Sequence, residues 1–344
     1  MKVGLVHDPV YLQHDTGAHP ENAQRLVATI ALLEKSGVKD KLLSLRPRQA
    51  LRGEILLNHT AKHVARVRDT AARGGGWLDP DTAMSADSYD VALYAAGGVL
   101  LGVEKVMAGE LDSCFALVRP PGHHATPDGG MGFCLFNNVA IAARFALASY
   151  DIARVLIVDF DVHHGNGTQD AFHSDGRVLY LSTHQYPFYP GSGDFRDRGT
   201  GPGEGKIVNV PLPAGCGDEE FLRVYREILV PVARRFEPEL VLVSAGYDAH
   251  WSESIASMRL TVTGYAGIVR VIKDLAGEIC PGRLVFALEG GYHLQALPAS
   301  VRATLDVLLG SPGIDDPLGP PPEQWKPAGF EDLLRQVKRL HRLE

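Results

Sequence analysis

The chain has 344 residues, 45% hydrophobic and 22% charged, with a formal net charge of -7 and a mean hydropathy of -0.04. These values exclude a disordered or membrane-spanning chain, and an acidic balance without a Lys/Arg block excludes a nucleic-acid footprint, which needs clustered cations. No apolar run reaches the roughly 18 residues of a membrane span, Met1 to Asp8 turns polar too early for a signal peptide, and four scattered cysteines (Cys114, Cys134, Cys216, Cys280) suggest neither disulfides nor a thiolate metal site, so a cytoplasmic protein is expected.

In chain order, short β-rich runs recur, each ending abruptly in polar residues. Val3 to Val6 runs into His7 and Asp8. Ser113 to Val118 ends in Arg119-Pro120-Pro121-Gly122-His123-His124, and Val155 to Val158 in Asp159-Phe160-Asp161-Val162-His163-His164. Val178 to Leu181 leads to Ser182-Thr183-His184, Leu240 to Val243 to Ser244-Ala245-Gly246-Tyr247-Asp248, and Leu284 to Leu288 to Glu289-Gly290-Gly291-Tyr292. Continuous apolar strands are buried on both faces, the mark of a parallel sheet.

Amphipathic helices lie between them: Ile268, Ile272, Leu275 and Ile279 step at helical spacing after Thr263, as do Val301, Leu305 and Leu308. The alternation predicts an α/β fold with helices on both faces of the sheet and a ligand site beyond the carboxyl ends of the strands. Arg73 to Gly76 and Tyr189 to Asp194 read as loops that can rim a pocket. Residues 1–310 read as one catalytic domain without internal repeat. Residues 311–344 read as a Pro-rich segment and a helix through Leu333, Leu334, Val337 and Leu340, packed on that domain.

Asp161 and His163 stand two residues apart beyond an apolar strand, which sends their side chains to the same side. Asp248, beyond another such strand, is a third donor; two carboxylates and an imidazole leave a coordination position open, as in catalytic rather than structural zinc sites. Alone, Asp-x-His better suits turn-forming or helix-capping aspartates beside a loop histidine. Its co-occurrence with His123 and His124 after a rigid Pro-Pro-Gly turn, with Asp159, and with Tyr292 after a Gly-Gly hinge favours chemistry. Amide hydrolysis needs a polarised carbonyl, an activated water, a proton for the departing amine and a stabilised oxyanion. A metal, the paired histidines and the Tyr292 hydroxyl are candidates for these tasks, with Asp159 orienting His123 or binding a second ion.

Arg-Pro-Pro-Gly-His-His-Ala (119–125), Val-Asp-Phe-Asp-Val-His-His-Gly-Asn-Gly (158–167), Gly-Tyr-Asp-Ala-His (246–250) and Leu-Glu-Gly-Gly-Tyr (288–292) resemble the histone deacetylase superfamily, especially class II-like bacterial members and acetylpolyamine amidohydrolases. The resemblance runs in order from His19-Pro20-Glu21-Asn22 to about Leu309. It implies the single-domain, three-layer arginase-deacetylase fold with a mostly parallel sheet of about eight strands. It also implies a zinc-dependent deacetylase acting on N-acetylated lysine side chains, polyamines or similar amines. Asp161, His163 and Asp248 match its zinc ligands, His123 and His124 its tandem catalytic histidines, and Tyr292 its oxyanion tyrosine; Asp159 matches the carboxylate behind His123. The carbonyls of Asp159, Asp161 and His163 with the Ser182 hydroxyl match a structural potassium site. Gly132, Phe133 and Tyr189 match the walls of an acyl-lysine tunnel, and Arg25 an arginine beneath the zinc. A homo-oligomer whose second copy narrows the tunnel mouth is compatible with the resemblance.

The chain also departs from the pattern. Asn166 stands where many members place an aspartate behind the second histidine, leaving open which of His123 and His124 is the general base. Ser252-Glu253-Ser254-Ile255 covers a stretch that ends in Asp-Pro-Leu in many bacterial relatives. Ile255 therefore occupies the gatekeeper position as an apolar residue, and Glu253 beside it is available to face a cationic substrate. Two other readings make different demands. An arginase-like ureohydrolase needs a second carboxylate where His163 stands and an Asp-x-Asp pair at Asp248. A silent acyl-binding module has no need of the Tyr292 hydroxyl.

Overall fold

In a computed structural model that describes residues 1–323 and 326–343, the apolar runs become strands of one parallel sheet. In chain order the strands are β1 (Val3–Val6), β2 (Leu43–Leu45), β3 (Gly75–Trp77), β4 (Ala83–Ser85), β5 (Ser113–Ala116), β6 (Val155–Asp159), β7 (Val178–Gln185), β8 (Ile207–Leu212), β9 (Leu240–Ala245) and β10 (Leu284–Leu288). Eight of them pair side by side in the order β2-β1-β5-β10-β9-β6-β7-β8, every neighbouring pair parallel. All parallel strands point the same way, so their polar sequels gather at one edge. The four strands feeding the candidate residues, β5, β10, β9 and β6, are consecutive in the sheet's middle.

Helices cover both faces, as continuous apolar strands require. On one side Gln24–Lys35, Ala296–Leu309 and Val262–Ile279 pack in succession; on the other, Ser88–Met107 packs on Asn138–Ser149, and both reach the central strands. The helix expected after Thr263 begins slightly earlier, because the Thr261 hydroxyl accepts the Gly264 N–H at 3.0 Å and caps it. Ile268, Ile272 and Leu275 form its buried face.

Three features depart from the sequence-based reading. β7 runs on to Gln185, so Ser182 to His184 lie inside a strand flanked by β6 and β8 rather than beyond its end. β8 carries Asn209 and Pro211, which interrupt its apolar pattern. Proline is tolerated there because β8 is an edge strand. Gly75 and Gly76, expected in a loop, belong to the β3/β4 hairpin: a Cβ on Gly75 would lie 2.3 Å from the Met84 carbonyl oxygen, so only glycine permits this approach.

The C-terminal helix Phe330–Leu340 lies along β8, covering the edge through buried Phe330, Leu334 and Val337. Lys338 pairs with Glu227 at 3.0 Å, and Arg223 pairs with Glu331.

Candidate functional site

The loops following β5, β6, β9 and β10 close on a cavity of about 250 Å3. Its walls include Pro121, His123, His124, Gly132, Phe133, His163, Phe188, Tyr189, Ile255, Gly290 and Tyr292, with Asp81 at its rim. Tyr189 is 38% exposed and stands at the mouth. Of the expected tunnel residues, Gly132, Phe133, Tyr189 and Ile255 line the cavity. Arg25 lies behind it, fully buried, donating to the carbonyls of Glu289 and Gly291. Glu253 corrects the sequence-based reading: it does not face a substrate but turns inward, accepting the N–H groups of Tyr292 and His293. Burial pushes its pKa up to about 7 against the pull of those two donors.

Asp161, His163 and Asp248 each contribute a donor atom to a cluster spanning no more than 4.8 Å. His163 Nδ1 lies 3.0 Å from Asp161 Oδ1 and 3.2 Å from Asp248 Oδ2. The carboxylates are aimed by backbone amides: Gly290 N donates to Asp161 Oδ2 at 2.8 Å, and Val162 N to Asp248 Oδ1 at 2.8 Å. Asp248 Oδ2 is buried and has no well-formed hydrogen bond, its near contact being the shared His163 Nδ1, an arrangement that costs free energy unless another group satisfies the atom. A Cβ on Gly290 would stand 2.2 Å from that atom, so the missing side chain keeps the space clear. Burial opposes protonation of His163, yet the facing Asp161 and Asp248 raise its pKa to about 9. Two carboxylates and an imidazole sharing one proton fit a divalent cation, which meets all three donors at once.

The paired histidines have opposite surroundings. His123 Nδ1 is 3.1 Å from Asp159 Oδ2, and the same oxygen accepts from the Tyr180 hydroxyl at 3.0 Å. Burial disfavours its charge, but Asp161 and Asp159 outweigh that and raise its pKa to about 10. His124 Nδ1 is 2.8 Å from Asn166 Oδ1; burial, then the nearby His123 and His163, hold its pKa well below the imidazole range. The rings sit 4.0 Å apart, centroid to centroid.

The Tyr292 ring meets Phe133 edge-on at 5.8 Å, with the Arg25 guanidinium 4.9 Å from its centroid. Burial and the Asp248 carboxylate push its hydroxyl well above the usual phenol range, so it remains a proton donor. Ser182 lies opposite Asp159 in the β6/β7 register, its hydroxyl 2.9 Å from His184 Nδ1.

Sequence reasoning missed Glu289 and Phe188. Glu289 Oε2 accepts the N–H groups of Gly122 at 2.6 Å and His123 at 3.2 Å, and Ser244 Oγ donates to Oε1 at 3.0 Å. One buried carboxylate thereby ties the ends of β5, β9 and β10 together. Its signal was a lone acid directly after an apolar strand. Phe188 stacks on His163 at 5.4 Å, and an aromatic in an irregular loop carries no such signal.

A family model described as the histone deacetylase domain matches residues 19–308. An Archaeoglobus fulgidus protein named "Probable deacetylase" is 40% identical over 356 residues, covering 99% of this chain and 98% of its own. "Histone deacetylase 14, chloroplastic" of Arabidopsis thaliana is 40% identical over 352 residues, covering 96% and 82%. The crystal structure of the HDA15 HD domain matches with a TM-score of 0.90 at 34% identity, covering 99% of this chain and 94% of that one.

Proposed function

The chain belongs to the histone deacetylase family, and from that premise we propose that it is a zinc-dependent deacetylase cleaving N-acetyl amides of lysine side chains, polyamines or similar amines. The observation that carries this reading is the convergence of three metal-competent donors, two oppositely tuned imidazoles and a protonated phenol on one cavity.

In this reading Asp161, His163 and Asp248 hold zinc, which supplies Lewis-acid polarisation of the amide carbonyl and makes water more acidic. Phe133, Phe188 and Tyr189 sheath the acyl chain and exclude solvent from the reacting carbonyl. His124 donates its Nδ1 proton to Asn166, which leaves Nε2 with a free lone pair; held neutral, it is equipped to accept the proton of the attacking water and pass it to the departing amine. His123, whose protonated form Asp161 and Asp159 favour, supplies positive charge beside the developing oxyanion. Pairs of groups whose environments drive their pKa values apart mark acid and base roles. The Tyr292 hydroxyl donates to the oxyanion.

Ile255 gives the wall an apolar surface suited to a neutral acyl-alkyl chain, which favours acetyl-lysine over a strict polyamine substrate. Residues 1–310 form the catalytic unit of this reading, with the helix Phe330–Leu340 docked on its flank; part of the 311–344 segment lies outside the described residues. Four buried, unpaired cysteines support a reducing, cytoplasmic setting. The reading also takes from the family resemblance a potassium ion held by the carbonyls of Asp159, Asp161 and His163 with the Ser182 hydroxyl, which the β6/β7 register sets opposite Asp159, and a homo-oligomer.

Tyr292→Phe tests the reading. Zinc content should be retained while turnover of an acetyl-lysine peptide falls by about 100-fold or more. Unchanged turnover would remove the tyrosine from the mechanism.

A further inference from the structure

The turn from Glu289 to His293 lies outside helix and strand, yet its backbone is held from two directions. Arg25 donates to the carbonyls of Glu289 and Gly291, the latter at 2.6 Å. Glu253 Oε1 accepts the N–H of Tyr292 at 2.7 Å and of His293 at 2.8 Å. Glu253 is buried and arrives on the irregular segment after β9 that also carries Ile255 into the cavity wall. A buried carboxyl group is costly unless hydrogen-bonded, and the two backbone N–H groups supply that compensation.

We propose that Glu253 is a positioning residue: by holding the adjacent N–H groups of Tyr292 and His293 in one grip, it fixes the Tyr292 hydroxyl where the oxyanion develops. The inference rests on the deacetylase reading for the role of Tyr292. The phenol oxygen sits at the far end of a long rigid side chain, so a small rotation of the peptide plane moves it by about 1 Å, a misplacement that can cost about 100-fold in rate. Arg25 grips the Gly291–Tyr292 peptide plane at its carbonyl and Glu253 at its N–H, while the next plane, at the His293 N–H, is held by Glu253 and not by Arg25.

Hydrogen exchange read by mass spectrometry on the full chain tests the grip without turnover. Although outside regular structure, the Tyr292 and His293 amides should exchange at least about a hundredfold more slowly than an unstructured peptide. Glu253→Ala should speed them at least about tenfold, and Glu253→Gln, whose amide oxygen still accepts, should keep them slow. On an acetyl-lysine peptide, E253A should lower kcat by about tenfold to a hundredfold with KM within about twofold, because the tunnel walls are untouched, and E253Q should recover most of the loss. Fast exchange of both amides in the unsubstituted protein overturns the proposal, as does an E253A variant with unchanged kcat or a glutamine variant as impaired as alanine. If no acylated amine turns over in the unsubstituted protein, the deacetylase reading falls while the exchange rates still decide the grip.

Discussion

His123 and His124 are neighbours in sequence and opposites in chemistry, and the difference lies in what stands behind each Nδ1: the Asp159 carboxylate for one, the Asn166 amide for the other. A carboxylate stabilises the imidazolium, whereas a neutral amide oxygen does so far less. Asn166→Asp should therefore raise the His124 pKa. Because the base must be neutral to act, the acid limb of the kcat/KM profile should move to higher pH, by about one unit. A limb that stays in place would show that His124 is not the group titrating in it. The identities of these residues were legible in the sequence because chemistry-bearing side chains stand immediately beyond apolar strands. Glu289 was not, because the N–H groups it accepts lie 167 and 166 positions away and only the folded sheet brings them to it. Glu253 was misread for a related reason, since nothing local states whether an acid between two loops faces water or a backbone amide.

The β3/β4 hairpin shapes one wall of the cavity without belonging to the central sheet. Asp81 Oδ1 accepts the Gly132 N–H at 3.1 Å, and Thr82 Oγ1 accepts the Phe133 N–H at 3.1 Å. These bonds hold a wall residue, Phe133, in a left-handed conformation at φ 70 that side chains seldom adopt. Asp81→Ala should loosen that wall. A bond to a charged acceptor contributes about 1.5 kcal/mol or more, so KM for an acetyl-lysine peptide should rise about tenfold while kcat stays within about twofold. A fall in kcat at constant KM would mean that the hairpin acts on the reacting centre instead. The strands ending in the candidate site residues were readable because they are buried on both faces and so are apolar throughout. The hairpin and β8 were not, because Gly75 and Pro211 are loop residues by local preference that an antiparallel close approach and an edge position tolerate.

At the scale of the whole molecule, a buried ion network joins the N-terminal segment to the central sheet. Glu21 is fully buried; Arg119 donates to both its carboxylate oxygens and Arg25 to Oε1 at 3.0 Å. Burial alone would raise its pKa, but the two guanidinium groups hold it at about 2, below its ordinary 4.5. A carboxylate with a lowered folded pKa contributes its stability in full above the unfolded value and loses it as pH falls towards the folded one. Thermal stability should thus drop between pH 4.5 and about 2, with about 3 kcal/mol of it traceable to Glu21. Glu21→Gln should be less stable at pH 7, where it strands two buried cations, and should vary less with pH across that window. Parallel melting profiles for the two proteins would remove Glu21 from the acid response. On the proposed function, one cluster, Asp161, His163 and Asp248, turns a cavity at the end of this sheet into a deacetylase site. The most direct measurement is zinc content per chain together with acetate release from acetyl-lysine peptides and acetylated polyamines, before and after chelation and zinc restoration, with Asp161→Ala alongside. The expected result is about one zinc per chain, activity that disappears on chelation and returns with zinc, and an inactive variant that has lost the metal. Acetate release that persists unchanged in metal-free protein or in the variant would contradict it.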